Sequence, residues 1–309
     1  MNGTDNLQQI NDVLKEQGFS GIEKYLRGTK KSHVLIANKN KECFFIKISF
    51  NNQSSDNLVN EVLANNFIDK IKPKTLPLYI PKSCLVQKKN YTMAAFECIK
   101  GKSLADQDNL KIIWKPNQRD FEKLFQIAAF YIQIPKTKVP AYFVRKAKEY
   151  GLERCRQKIN GYLDRPMGKL INQSEKEKLL KNLEESGYRP CFQHHDFVLW
   201  NMFKNKNDVV LTDAEFSRWG MKWYDIAYFF VQTYVYLQKP ELAKKILEYF
   251  IKRFKEQFPK ENIEKEIMFP LNYRITANLN EALGNKKLEK LARELLKKIL
   301  TNKMEKVIA

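Results

Sequence analysis

Apolar and polar positions alternate in short blocks over the first hundred residues. Phe44-Phe45-Ile46-Lys47-Ile48 is an apolar run carrying one lysine. Val34-Leu35-Ile36-Ala37 precedes it across Asn38-Lys39-Asn40-Lys41, which predicts a hairpin with a polar turn. Cys84–Gln87 and Tyr91–Phe96 flank Lys88-Lys89-Asn90 and predict a second hairpin. Between these pairs the period changes: Leu58, Val59, Val62, Leu63, Phe67 and Ile71 share one face of a helix. Leu76 to Pro81 is broken by prolines and reads as a loop.

After Gly101 helical spacing takes over. It predicts helices over Phe121–Ile134, stopped by Pro135, over Ala141–Leu163, from Ser174 onward, over Pro240–Phe258 and over Lys286–Asn302. Ser174-Glu175-Lys176-Glu177 has the form of a capping box. Asp208–Leu211 is a strand-like island among the helices. The plan is α+β: a small strand-rich part with one helix, residues 1–97, then a larger helical part, residues 98–309.

Composition narrows the class. With 43% apolar residues in 309, the chain can bury a core and is no disordered tail. Its net charge of +20 invites a nucleic-acid or anionic-membrane partner. However, the charge comes from 44 lysines against 11 arginines, beside 26 asparagines. Phosphate-reading surfaces favour the arginine fork, so compositional drift toward A-rich codons explains the excess better, and no specific nucleic-acid partner is expected. The five cysteines are an odd number, far apart and without a Cys-x-x-Cys pair. This predicts neither a disulfide framework nor a zinc site, and a cytoplasmic location. Met1–Phe19 lacks the apolar core of a signal peptide. Leu124–Ile134 and Trp223–Leu237 are too short or too interrupted to span a bilayer, so no transmembrane segment is expected.

The chemistry concentrates in Gln193-His194-His195-Asp196-Phe197-Val198-Leu199-Trp200-Asn201, a His-x-Asp-x-x-x-x-Asn pattern. Twelve positions after Asn201 comes Asp213, in Thr212-Asp213-Ala214-Glu215-Phe216. Phosphoryl transfer needs one carboxylate to take or orient the hydroxyl proton. It also needs an amide oxygen and a second carboxylate to hold Mg²⁺ on the nucleotide phosphates. Lys47 on a strand and Glu61 on the following helix complete the order, as a lysine held on phosphates by an ion pair.

These residues resemble the aminoglycoside phosphotransferase and choline kinase group, the small-molecule branch of the protein-kinase-like fold. The matching segments are His194-His195-Asp196 to Asn201, Thr212 to Phe216, Tyr224-Asp225-Ile226-Ala227, and Phe96 to Leu104 as hinge. The segment from Asp213 to Ala227 is most similar to the bacterial choline kinases of lipopolysaccharide decoration. The resemblance implies a bilobal fold, ATP and Mg²⁺ as cofactors, and a small hydroxylated acceptor of the choline, ethanolamine or aminoglycoside kind. It implies Asp196 as catalytic base, Asn201, Asp213 and Glu215 as metal ligands, and Lys47 with Glu61 on the phosphates. Gly28 and Ser32, in Leu26-Arg27-Gly28-Thr29-Lys30-Lys31-Ser32-His33, would cover the phosphates. The backbone of Glu97, Cys98 and Ile99 would hold adenine, and His194 and Asp225 would brace the loop. Residues 238–309 match nothing in the family.

The chain departs from protein kinases proper. Val198 stands where Ser/Thr kinases have lysine, and Asp213-Ala214-Glu215 is not Asp-Phe-Gly. The phosphate loop has one glycine, Thr212 replaces an apolar residue, and no proline lies between Gly220 and Asp225. Trp200, Trp219 and Trp223, with Tyr224 and Tyr228, allow an aromatic cage for a quaternary ammonium, though packing alone accounts for such rings. Residues 191–237 hold 4 basic and 5 acidic groups, so a cationic acceptor stays admissible. The competing reading is a catalytically inactive kinase-like module that binds an anionic polymer or a membrane surface.

Overall fold

Period-two alternation builds a sheet with two different faces. The computed structural model describes residues 3–28, 32–147, 152–163, 171–186, 188–205 and 208–309. Helix α1 (Gly3–Glu16) precedes strands β1 (Ile22–Gly28), β2 (Ser32–Lys39) and β3 (Glu42–Ser49). Helix α2 (Asn52–Ile71) follows, then β4 (Leu78–Tyr79), β5 (Ser83–Gln87) and β6 (Thr92–Glu97). Five of these strands form an antiparallel sheet in the order β1-β2-β3-β6-β5. Ile46, Ile48, Met93 and Ala95 face one core with Ile10 and Leu14 of α1. The intervening Ala94 and Phe96 face another with Leu58 and Val62 of α2. The β2–β3 turn places Asn40 and Lys41 at φ of 52° and 66°, the paired left-handed conformation of a tight hairpin. Helix α1, which the periodicity does not single out, supplies Ile10, Val13 and Leu14 to the first core.

The cysteine expectation is corrected: Cys43 and Cys98 form a disulfide, with Cα atoms 5.4 Å apart. Their separation of 55 positions hides the reason. Strands β3 and β6 pair with Phe44 opposite Glu97, so the next rung brings Cys43 to Cys98, and Cys98 N–H donates to Cys43 O at 3.1 Å. Closing a loop of this size stabilises by about 2–4 kcal/mol. Urea unfolding with and without reductant is expected to differ by that amount, and equal midpoints would show that the bridge contributes nothing.

The chain divides into two compact units. Where the pattern suggests a single cut after residue 97, the first unit comprises Met1–Lys74, Leu78–Gly101 and also Val210–Phe216. The second comprises Thr75–Pro77, Lys102–Val209 and Ser217–Ala309.

The second unit opens with three two-residue strands, β7 (Lys102–Ser103), β8 (Ala105–Asp106) and β9 (Lys111–Ile112). Helices α3 (Gln118–Gln133), α4 (Ala141–Ala147), α5 (Leu152–Leu163) and α6 (Gln173–Ser186) come next. Of the predicted helix over Ala141–Leu163, the described residues are helical as α4 and α5, and 148–151 lie outside the described residues. In chain order, strands β10 (Pro190–Gln193) and β11 (Met202–Asn205) flank the loop from His194 to Asn201, β12 (Asp208–Leu211) runs from the second unit into the first, and β13 (Arg218–Met221) returns to the second. Helices α7 (Tyr224–Val231), α8 (Pro240–Gln257), α9 (Ile263–Ala282), α10 (Lys286–Ile299) and α11 (Met304–Ile308) complete the chain.

Two local expectations shift. The capping box of α6 belongs to Asn172, not Ser174. Its side chain accepts from Glu175 N–H at 2.9 Å, and Glu175 accepts from Asn172 N–H at 3.0 Å. Asn172→Ala is expected to cost about 1 kcal/mol in urea unfolding. Helix α9 escapes the periodicity because its polar residues are buried too: Asn272, Arg274, Thr276 and Asn278 leave no solvated face to mark it. Trp223 belongs to the core, its ring 4.7 Å from Phe254 and its Nε1 donating to Glu266 at 3.0 Å. Among the described residues no helix is long and apolar enough to cross a membrane.

Candidate active site

Lys47 lies in mid-sheet, opposite Val34 of β2 and Ala94 of β6. Its ammonium is 2.7 Å from Glu61 Oε2 on α2 and 2.6 Å from Asp213 Oδ1, with the Phe96 ring centroid 5.7 Å away. Burial favours a neutral lysine, but Glu61 and Asp213 outweigh it and raise the pKa, so Lys47 stays charged. Burial also pushes the Glu61 carboxyl up to about 7, with Lys47 opposing and Asp213 adding to the rise.

Asp213 sits at φ 65°, a left-handed conformation that a short polar side chain tolerates. Its turn is tied to α2 by a residue absent from the sequence expectations. Asn60 donates from Nδ2 to Glu215 O at 2.9 Å. Neighbours Asn60 and Glu61 thus hold the turn together, one through its backbone and one through Lys47. Glu61, Asp213 and Glu215 each bring a carboxylate oxygen within 4.8 Å of the others, a set of hard donors that suits Mg²⁺.

The hinge residues are partly committed. Glu97 N–H donates to Lys82 O at 2.9 Å, Cys98 N–H to Cys43 O, and Tyr79 donates its hydroxyl to Glu97 Oε2 at 2.6 Å. Of the three, Ile99 is the one whose N–H donates to no backbone carbonyl among the described residues. Gly28 ends β1 opposite His33, where the Tyr25 hydroxyl and His33 Nδ1 lie 2.7 Å apart. A Cβ on Gly28 would collide with both, so a larger residue there must displace the Tyr25 hydroxyl and the His33 ring. Ser32 begins β2 opposite Ser49. Thr29 and Lys30 of that loop lie outside the described residues.

In the second unit β10 pairs with β13, and the loop from His194 hangs from the pair. Asp225, at the start of α7, accepts from His194 N–H and His195 N–H, both at 2.8 Å. Burial raises the Asp225 carboxyl to about 7, with the two N–H groups pulling the other way. His194 Nδ1 faces the Asp196 N–H at 3.3 Å. Phe197, Val198 and Leu199 are buried and anchor the loop. His195 takes φ 70° and stacks on Tyr224 at 4.2 Å, so the backbone reverses just before Asp196. Asn201 donates from Nδ2 to Asp196 Oδ2 at 2.8 Å and to its carbonyl at 3.1 Å. Its amide oxygen is the atom of the kind a cation takes.

The structure therefore assembles Lys47, Glu61, Asp213 and Glu215 in the first unit and Asp196 with Asn201 in the second. No protein-family model and no curated protein matches the chain. Solved structures do match. Spectinomycin phosphotransferase APH(9)-Ia, in complex with ADP and spectinomycin, superposes with a TM-score of 0.63 at 13% identity, over 97% of this chain and 98% of that one. The GDP complex of aminoglycoside 2'-phosphotransferase-IIIa gives 0.62 at 14% identity, over 98% and 99%. Aminoglycoside phosphotransferase APH(4)-Ia gives 0.61 at 11% identity, over 96% and 98%. The chain has the kinase-like fold of these phosphotransferases.

Proposed function

We propose that the chain is an ATP- and Mg²⁺-dependent phosphotransferase acting on a hydroxyl of a small molecule. The observation that carries this reading is the buried Lys47, held by both Glu61 and Asp213. A charged lysine costs much to bury and is kept where its charge is used. Lys47 contacts the nucleotide phosphates, and Glu61 fixes its position. Asp213 and Asn201 hold the metal, with Glu215 in support, and the ion supplies charge neutralisation on the phosphates. Asp196 takes the acceptor's proton, oriented by the amide of Asn201. Gly28 and Ser32 border the phosphates, and the Glu97–Ile99 segment meets the base, with Ile99 as its remaining N–H donor.

Neighbours of the same fold were crystallised with ADP, AMP-PNP or GDP and with hygromycin B, spectinomycin or kanamycin, which supports the nucleotide and the small acceptor. An inactive binding module is not favoured, because Lys47, Glu61, Asp196, Asn201 and Asp213 are all present. The test is Mg²⁺-dependent ADP release from ATP or GTP against aminoglycosides, choline, ethanolamine and sugars. Acceptor-dependent turnover is expected. Absence of Mg²⁺-dependent nucleotide binding in a thermal-shift titration would end the enzyme reading, and steeply salt-dependent DNA binding would favour the polymer module.

A further inference from the structure

Beside the Asp196 loop, the second unit sets a cation of its own against a run of aromatic rings. Arg274, on α9, is only 8% exposed, and its guanidinium carbon lies 3.9 Å from the centroid of Tyr228. Tyr228 leans on Tyr224 at 5.7 Å, and Tyr224 on Tyr273 at 6.2 Å. The other neighbour of Tyr224 is the stacked ring of His195, next in sequence to Asp196. Tyrosine faces attract a quaternary ammonium, but the guanidinium already stands over one of these rings. An ammonium acceptor placed there would meet a like charge in a dry setting.

The surrounding charges point the same way. Arg218, on β13, pairs in register with Gln193 and lines a small cavity with His195, Tyr224 and Tyr273. Burial, then the charges of Arg218, Arg274 and Lys158, hold the His195 imidazole well below its usual pKa. Asp196 and Arg274 both act on Tyr224 and Tyr228, so base and guanidinium share one electrostatic neighbourhood. Opposing Arg274 is Glu281, whose two carboxylate oxygens lie 3.2 and 3.3 Å from Nη2. Glu281 is exposed, whereas Arg274 Nε is buried and has no hydrogen-bond partner among the described residues. A buried arginine with an unmet donor is a fork suited to a carboxylate or phosphate.

We infer that the alcohol phosphorylated by this chain carries an anionic group, a carboxylate or a phosphate, bound by Arg274 with Arg218 in support. The inference rests on the phosphotransferase reading and narrows its substrate class. Polycationic aminoglycosides and choline are the acceptors this wall disfavours.

The test measures ADP release with Mg·ATP on matched acceptors. Glycerate and gluconate form the carboxylate arm, glycerol 3-phosphate and ribose 5-phosphate the phosphate arm, and glycerol and ribose are the neutral twins. Kanamycin, spectinomycin and choline form the cationic arm. An anionic member is expected to exceed its neutral twin in kcat/KM by about tenfold or more, the size of one charge-assisted contact, and the two arms separate carboxylate from phosphate. Arg274→Met should collapse that ratio toward one, and Arg274→Lys should restore part of it. Because removing a buried guanidinium can disturb the fold, Glu281→Gln supplies an independent arm at an exposed position. It frees Arg274 from its competing carboxylate and is expected to lower KM for the anionic acceptor but not for the neutral twin. Preferred turnover of a cationic or neutral acceptor would overturn the inference while leaving the kinase reading intact. So would parallel KM changes for anionic and neutral twins, or no turnover of any member despite Mg·ATP binding. Loss of Mg·ATP binding altogether would instead overturn the kinase reading.

Discussion

Asp196→Ala is expected to lower kcat by about 10³-fold, the usual worth of a positioned general base, while Mg·ATP affinity changes by no more than about twofold. The loop should survive the change. Asn201 still donates to the residue-196 carbonyl at 3.1 Å, and Asp225 still holds the His194 and His195 N–H groups. Steady-state kinetics beside a nucleotide thermal shift separates the two effects. A variant at near-full rate would remove Asp196 from the chemistry.

For Asp213 the informative change is to asparagine rather than alanine. The residue sits at φ 65°, where asparagine, like aspartate, offsets the crowding of its Cβ by local hydrogen bonds of a short polar side chain and alanine cannot. Asp213→Asn keeps the turn but removes one of the two charges on Lys47 and one of three clustered carboxylates. Phosphotransfer is expected to fall about 10³-fold, as when electrostatic stabilisation of a developing charge is lost, and the Mg²⁺ dependence of nucleotide-induced stabilisation should vanish. Lys47 retains Glu61, so the sheet keeps its ion pair. Unchanged activity at ordinary Mg²⁺ would show that Asp213 holds no metal.

Much of this arrangement is legible in the chain, because local physics writes it there. The hairpins of β2 with β3 and β5 with β6 follow from alternation and polar turns, and α2 from its apolar face. The loop from His194 to Asn201 shows itself by residue type and spacing. What stays hidden depends on register or on burial all round. Cys43 and Cys98 meet only because β3 and β6 pair in one particular alignment. Asn60 looks like any helix polar residue until its amide is seen on the Glu215 carbonyl. Arg274 comes from a helix with no solvated face, in a stretch of chain without recognisable motifs. It alters the charge of a neighbourhood that, counted along residues 191–237 alone, is faintly acidic. Linear charge counts miss it because the field at His195 is summed over space.

One feature of the chain's division limits how such a protein is rearranged. Residues 210–216 belong with the first hundred residues, although more than a hundred others intervene. A gene fragment ending at Gly101 would therefore encode Lys47 and Glu61 without Asp213, and α2 without the carbonyl that Asn60 binds. The first unit cannot be inherited, swapped or expressed as one contiguous exon-like cassette. Evolution can lengthen or replace the helices between and after these segments, but it must keep the crossings on either side of residues 210–216 when it does.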